Sequence, residues 1–102
     1  RATVMRYTGT AWEYVGDAKF TTGTSRELRL KIVGGRPYLA MTEDTGSGQR
    51  LVLYVYDGLI WKPVGPAVSG FVSEVGLEHY GSTLYLAYKT LEKRLVSVMK
   101  YD

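Results

Sequence analysis

Apolar and polar side chains alternate along this chain in short runs. Over Glu27–Val33, Leu28, Leu30 and Ile32 fall on one side, and Arg29 and Lys31 on the other. Period two belongs to a strand with one buried face. Gly34-Gly35 then supplies a hairpin turn, because a positive φ costs glycine little, and Pro37–Thr42 is the return strand. The same reading marks strands at Thr3–Tyr7, Ala11–Val15, Arg50–Tyr56, Ile60–Val64, Ser73–Tyr80, Thr83–Tyr88 and Arg94–Tyr101, nine in all and no helix. Turns at Asp57-Gly58 and Gly81-Ser82, and loops at Gly16–Ser25, Glu43–Gln49 and Lys89–Lys93, join them. Leu91–Met99 could be helical on propensity alone, but its match to Arg1–Met5 and Leu51–Tyr54 argues for strand. Pro63 offers no amide to a neighbour, so its strand suits an edge.

The pattern recurs. Tyr7-Thr8-Gly9, Trp12 and Val15-Gly16 return 49 residues on as Tyr56-Asp57-Gly58, Trp61 and Val64-Gly65. Glu27-Leu28-Arg29-Leu30 through Tyr38-Leu39-Ala40 returns 47 residues on as Glu74-Val75-Gly76-Leu77 through Tyr85-Leu86-Ala87. Val98-Met99-Lys100-Tyr101 copies Val4-Met5-Arg6-Tyr7. The chain is one unit of two repeats, at about 1–49 and 50–94, with a strand at 95–102 that duplicates residues 1–8. The sequence opens mid-pattern at Arg1, as a fragment would.

Repeats of this length built from short strands suit propeller blades. The Tyr-x-Gly-x-x-Trp hairpins at Tyr7–Trp12 and Tyr56–Trp61 resemble those of kelch-like β-propeller blades. Asp57-Gly58 with Trp61 is also similar to turns of two-blade propeller lectins, in which three chains assemble a six-bladed ring. The resemblance implies an all-β fold of two four-stranded antiparallel blades that complete a propeller by oligomerisation. In blade terms the chain supplies strands three and four, then one to four, then one to three. It also implies a carbohydrate ligand and slightly favours an extracellular or cell-surface setting.

The packing argument points the same way. A blade is apolar on both faces because it lies between neighbours, so a pair of blades leaves two faces bare, carrying Trp12, Leu30, Tyr38 and Leu53 or their counterparts Trp61, Leu77, Tyr85 and Val98. Burying each aromatic or leucine stabilises by roughly 1.5–3 kcal/mol. Five or six of them exceed an association cost of very roughly 4–15 kcal/mol. Self-assembly is therefore expected, with a trimer giving six blades as the first choice. Residues 1–8 and 95–102 would compete for one slot at each junction.

Composition narrows the chemistry. The net charge of +3 is carried by scattered basic residues with one cluster at Lys89, Lys93 and Arg94, unlike the one-sided footprint of a nucleic-acid binder. The chain has no cysteine and a single histidine, so disulfides and an ordinary zinc site are out of reach. No apolar run approaches a membrane span. No cofactor is implied.

Several residues are candidates for a ligand site. Trp12 and Trp61 could stack on a sugar ring, or belong to the core between blades. Tyr14, Tyr80 and Tyr88, near loops or strand ends, are the more exposed aromatic candidates. Glu27 and Glu74, repeat equivalents at the start of first strands, could accept hydrogen bonds from sugar hydroxyls, or cap a loop or pair with Arg26. Gly76 takes the place of Arg29 in the other repeat, so a site that needs Arg29 would exist once per chain. Glu43, Asp44 and Ser47 read as a solvated acidic turn rather than a calcium loop. His79 takes the slot of Ile32 and reads as a buried core histidine. Ser82, His79 and Glu78 can be arranged as a triad on paper, but nothing activates Ser82, and no enzyme is expected. The leading reading is a carbohydrate-binding propeller module. A structural or engineered building block, or a protein-interaction scaffold, is the alternative.

Overall fold

Alternation in the sequence becomes ten strands in the computed structural model, which describes residues 1–21, 23–44, 46, 48–90 and 95–101. They are β1 (Met5–Tyr7), β2 (Trp12–Tyr14), β3 (Thr24–Val33), β4 (Arg36–Asp44), β5 (Gln49–Tyr56), β6 (Trp61–Pro63), β7 (Val68–Ser69), β8 (Val72–Tyr80), β9 (Thr83–Thr90) and β10 (Leu95–Tyr101). No helix occurs among the described residues, and so none is long and apolar enough to cross a membrane. Ser47, Lys93, Arg94 and the start of the 91–99 stretch lie outside the described residues; β10 covers the rest of that stretch.

Three antiparallel sheets form. β1 pairs with β2; β3-β4-β5-β6 make a central meander, with β7 also on β5; β8-β9-β10 make the last. The sheets hold two, five and three strands, where the repeat phase implies two, four and three. The sheets are open, and no ring closes within the chain. The short β7 was not anticipated. It continues the edge begun by β6, with the Val64 amide donating to the Leu53 carbonyl at 2.7 Å between them. Pro63 does lie on that edge strand.

The central sheet is apolar on both faces, because successive residues of a strand point to opposite sides. Leu39, Met41, Val52 and Tyr54 pack with Ala2, Val4 and Trp61 on one side. Val33, Ala40, Leu51 and Leu53 pack with Val75, Leu77, Leu84 and Tyr88 on the other. The N-terminal segment is also pinned by its backbone: the Val15 amide donates to the Val4 carbonyl at 2.9 Å and the Phe20 amide to the Ala2 carbonyl at 3.0 Å.

The two repeats therefore hold equivalent side chains in opposite environments. Leu51 is 1% exposed and its counterpart Val96 is 74% exposed; Leu77 is 7% and Leu30 is 47%; Trp61 is 9% and Trp12 is 64%. Each buried member is covered by another part of the chain; of the exposed ones, Val96 and Trp12 face outward from the two ends, while Leu30 lies on an uncovered part of the central sheet. This corrects one expectation: the Leu28, Leu30 and Ile32 face of β3 is exposed. The hairpin of β1 and β2 has only two strands and does not reach across to cover it. Of the bare-face set, Leu53 is likewise buried and Tyr38 half-buried, whereas Tyr85 and Val98 are exposed.

The asymmetry gives a matched test. In the dilute, unassociated chain, Leu77→Ala should destabilise by about 2–5 kcal/mol, the range for a buried leucine. Leu30→Ala, the same change at the equivalent position, should cost roughly 0.5 kcal/mol or less. Urea unfolding of the two variants measures both.

Candidate functional site

β3 and β8 are the first strands of their sheets, and they lie beside one another. Each carries a register shift against its partner strand at the same place, between Arg26 and Arg29 in one and Ser73 and Gly76 in the other. Each bulge holds a glutamate in left-handed backbone, with φ of 52° at Glu27 and 53° at Glu74. Few side chains adopt this conformation without support, and bulges re-aim side chains at the edges of sheets. Both glutamates are exposed. Glu27 Oε2 lies 3.7 Å from Arg29 Nη2, so its ion-pair partner is Arg29 and not Arg26. Arg29 Nη1 also donates to the Leu28 carbonyl at 2.8 Å. Gly76 stands where Arg29 does in the first repeat, and Glu74 makes no ion pair among the described residues. Lys31 reaches across to Glu78, with Nζ 3.2 Å from its carboxylate. The His79 amide and Lys31, donating to that carboxylate, hold the Glu78 pKa below its ordinary value.

The aromatic candidates separate into two environments. Tyr14 and Tyr80 are exposed, as is Trp12, which touches Tyr7 with ring centroids 5.4 Å apart. Tyr88 is buried in the core, a correction: as the third inward residue of β9 after Leu84 and Leu86, it points at the central sheet, and its hydroxyl reaches the Met99 sulfur at 3.5 Å. Trp61 is also buried. Its ring stacks on Phe20 at 4.9 Å and 8°, and its Nε1–H donates to the Val15 carbonyl at 2.8 Å. Gly16 lies directly beneath it: a Cβ there would come within 2.8 Å of Trp61 Cδ1.

Two further expectations are overturned. His79 is exposed, as is Ile32, whose slot it shares, because the last three residues of β8, beside the Gly81-Ser82 turn, lie clear of cover; its Nδ1 lies 3.1 Å from the Gly81 carbonyl oxygen, and no hydrogen bond joins it to Ser82 among the described residues. Glu43 is not in a solvated turn. β4 runs on to Asp44, and Glu43 is among the most deeply buried side chains. Arg50 Nε donates to its Oε1 at 2.7 Å and Tyr54 Oη at 3.5 Å, while Oε2 has no partner among the described residues. Burial and the nearby Glu43 charge raise the Tyr54 pKa, so this hydroxyl remains a donor. The turn after β5 is built on another acid. Asp57 Oδ1 accepts from the Leu59 and Ile60 amides at 2.8 and 2.9 Å, and Lys62 pairs with Oδ2 at 2.9 Å. These donors hold the Asp57 pKa well below the ordinary carboxylate range. Asp44 caps its own turn by accepting from the Gly46 amide at 2.9 Å.

The bulge glutamates Glu27 and Glu74 thus lie on neighbouring strands, and the first of them has Arg29 beside it. Trp61 and Tyr88 are set apart, in the core. Among the described residues no group of histidine and acidic side chains could hold a metal ion. Sequence reasoning did not assign a role to Val15-Gly16 as the seat of Trp61, although the recurrence of Val-Gly at Val64-Gly65 marks it. No known protein family, characterised protein or solved structure matches the chain.

Arg50→Ala leaves the Glu43 carboxylate buried and unpaired, and should cost about 3 kcal/mol; adding Glu43→Gln should recover much of the loss, measured as a double-mutant cycle by urea unfolding. Asp57 predicts a pH effect. Its pKa is lowered in the fold, so its stabilisation is complete above its ordinary value of 3.8 and is lost as the pH falls through the lowered value. Urea midpoints followed from about pH 5 to about pH 2 should fall less steeply for Asp57→Asn than for the parent chain.

Proposed function

We propose that the chain is a two-blade propeller unit that completes a ring with further copies of itself and binds a carbohydrate. One observation carries the reading: equivalent residues of the two repeats are buried where another part of the chain covers them and bare at the two ends. Leu51 against Val96 and Trp61 against Trp12 are the clearest pairs. The bare faces are of opposite kinds, one from each side of a sheet, so each fits the other and not itself. Such head-to-tail contacts generate a closed ring when the rotation permits, and three chains give six blades.

The ligand is supported by the bulges. Two equivalent glutamates, both exposed, sit in strained backbone on strands that neighbour one another. Strain of this kind persists only when the surroundings hold it, and it concentrates at binding sites. A carboxylate accepts paired hydrogen bonds from vicinal hydroxyls; Tyr80, at the far end of β8 and about 20 Å along it from Glu74, would belong to a separate contact. Arg29 restricts the first site relative to the second, so the two per chain would differ in affinity. Repetition around a ring would turn weak single sites into useful avidity.

Light scattering of the concentrated chain should give the mass of a trimer, and a glycan array should then show binding by the assembled species. Glu27→Gln with Glu74→Gln should leave the mass unchanged and weaken binding by about 10-fold or more. An intact ring that binds no glycan at high concentration would remove the carbohydrate reading in favour of a structural unit.

A further inference from the structure

A cavity of about 150 Å³ opens between the central and C-terminal sheets, lined in part by Leu53, Val64, Gly65, Leu86, Met99 and Tyr101. Each of these has a repeat counterpart around Trp61: Val4, Val15, Gly16, Leu39, Tyr54 and Tyr56. The cavity is thus the second occurrence of the tryptophan seat. Its floor matches as well. The Val64 amide bonds the Leu53 carbonyl as the Val15 amide bonds that of Val4, which turns the Val64 carbonyl the way the Val15 carbonyl is turned toward Trp61. Gly65 has the left-handed backbone of Gly16, with φ of 66° and 78°. A Cβ on Gly65 would meet nothing within 4 Å, whereas one on Gly16 would collide with Trp61.

We infer that Trp12 of a second copy of the chain fills this seat. The inference rests on the ring reading proposed above and names the contact that would join two copies. Trp12 is the repeat equivalent of Trp61, is largely exposed, and holds Tyr7 at the same 5.4 Å that separates Trp61 from Tyr56. On entering, its Nε1–H donates to the Val64 carbonyl and its ring covers Gly65. The strand that carries it has a place to pair. Among the described residues β10 is bonded only to β9, while its counterpart β5 carries β6 on the corresponding edge. Laying β2 of the second copy on β10 in the register of β6 on β5 sets Trp12 opposite Tyr101, Glu13 opposite Lys100 and Tyr14 opposite Met99. The charges agree, since Lys100 replaces Arg6, the present partner of Glu13. β10 takes over the slot of the second copy's β1, so Val96 and Val98, bare in the single chain, come to lie where Ala2 and Val4 pack.

Three measurements on the full chain test this. Tryptophan emission should move to the blue as concentration raises the mass, because Trp12 leaves water while Trp61 is already buried. Trp12→Ala should raise the dissociation constant by about 30-fold or more, the scale of a central aromatic anchor. The chain has no cysteine, so mixing Glu13→Cys chains with Lys100→Cys chains should give a mixed disulfide dimer under oxidation that neither gives alone. Association that persists in Trp12→Ala, with no mixed disulfide, would overturn the seat and leave the ring reading standing. A chain that stays monomeric with unshifted emission would overturn both.

Discussion

Everything in this fold depends on a sheet with two greasy faces. A strand that alternates apolar and polar residues needs cover on one side only; Leu39, Ala40, Met41 and Leu51 through Tyr54 demand it on both. The segments that flank the β1–β2 hairpin, with Ala2, Val4, Val15 and Phe20, answer on one face and the sheet of β8 to β10 on the other. The layers stack like leaves, each touching only its neighbours, so stability grows by interfaces rather than around a single centre. The outermost layers inherit the same demand without the means to meet it, which is why chemically identical positions differ so widely in exposure.

Much of this was legible in the sequence. All nine anticipated strands are present, because period-two alternation and glycine turns act locally and leave a residue-by-residue trace. The repeat gave the phase of the sheets for the same reason: Tyr7 with Trp12 and Tyr56 with Trp61 specify the same hairpin twice. What could not be read was which copy of a position is covered. Leu30 and Leu77 are indistinguishable by pattern; only the extent of cover over each separates them. His79 was misplaced by this route, since its equivalence to Ile32 was correct and the burial of Ile32 was not. Glu43 was misjudged differently. A run of Glu, Asp, Gly and Ser has the composition of a loop, but Arg50 directly opposite on β5 lets the strand continue with its acid inward.

The candidate site was less legible than the fold. Glu27 and Glu74 stood out by their recurrence, yet nothing in residue type announces left-handed backbone at a glutamate. That conformation follows from a bulge, which needs a partner strand to define it. The seat of Trp61 is a similar case. Val15 and Gly16 contribute a carbonyl and the lack of a side chain, features that a reading by side-chain chemistry passes over.

Pro63 carries a last consequence. It occupies the outer border of the central sheet, where an extra strand would otherwise find a row of free amides. A missing donor there discourages sideways recruitment, a common protection against cross-β fibrils. The border formed by β10 has no proline between Leu95 and Tyr101 and keeps its ladder open. Lateral accretion is therefore blunted on one rim and permitted on the other, which makes the orderly occupation of β10 a matter of solubility as much as of architecture.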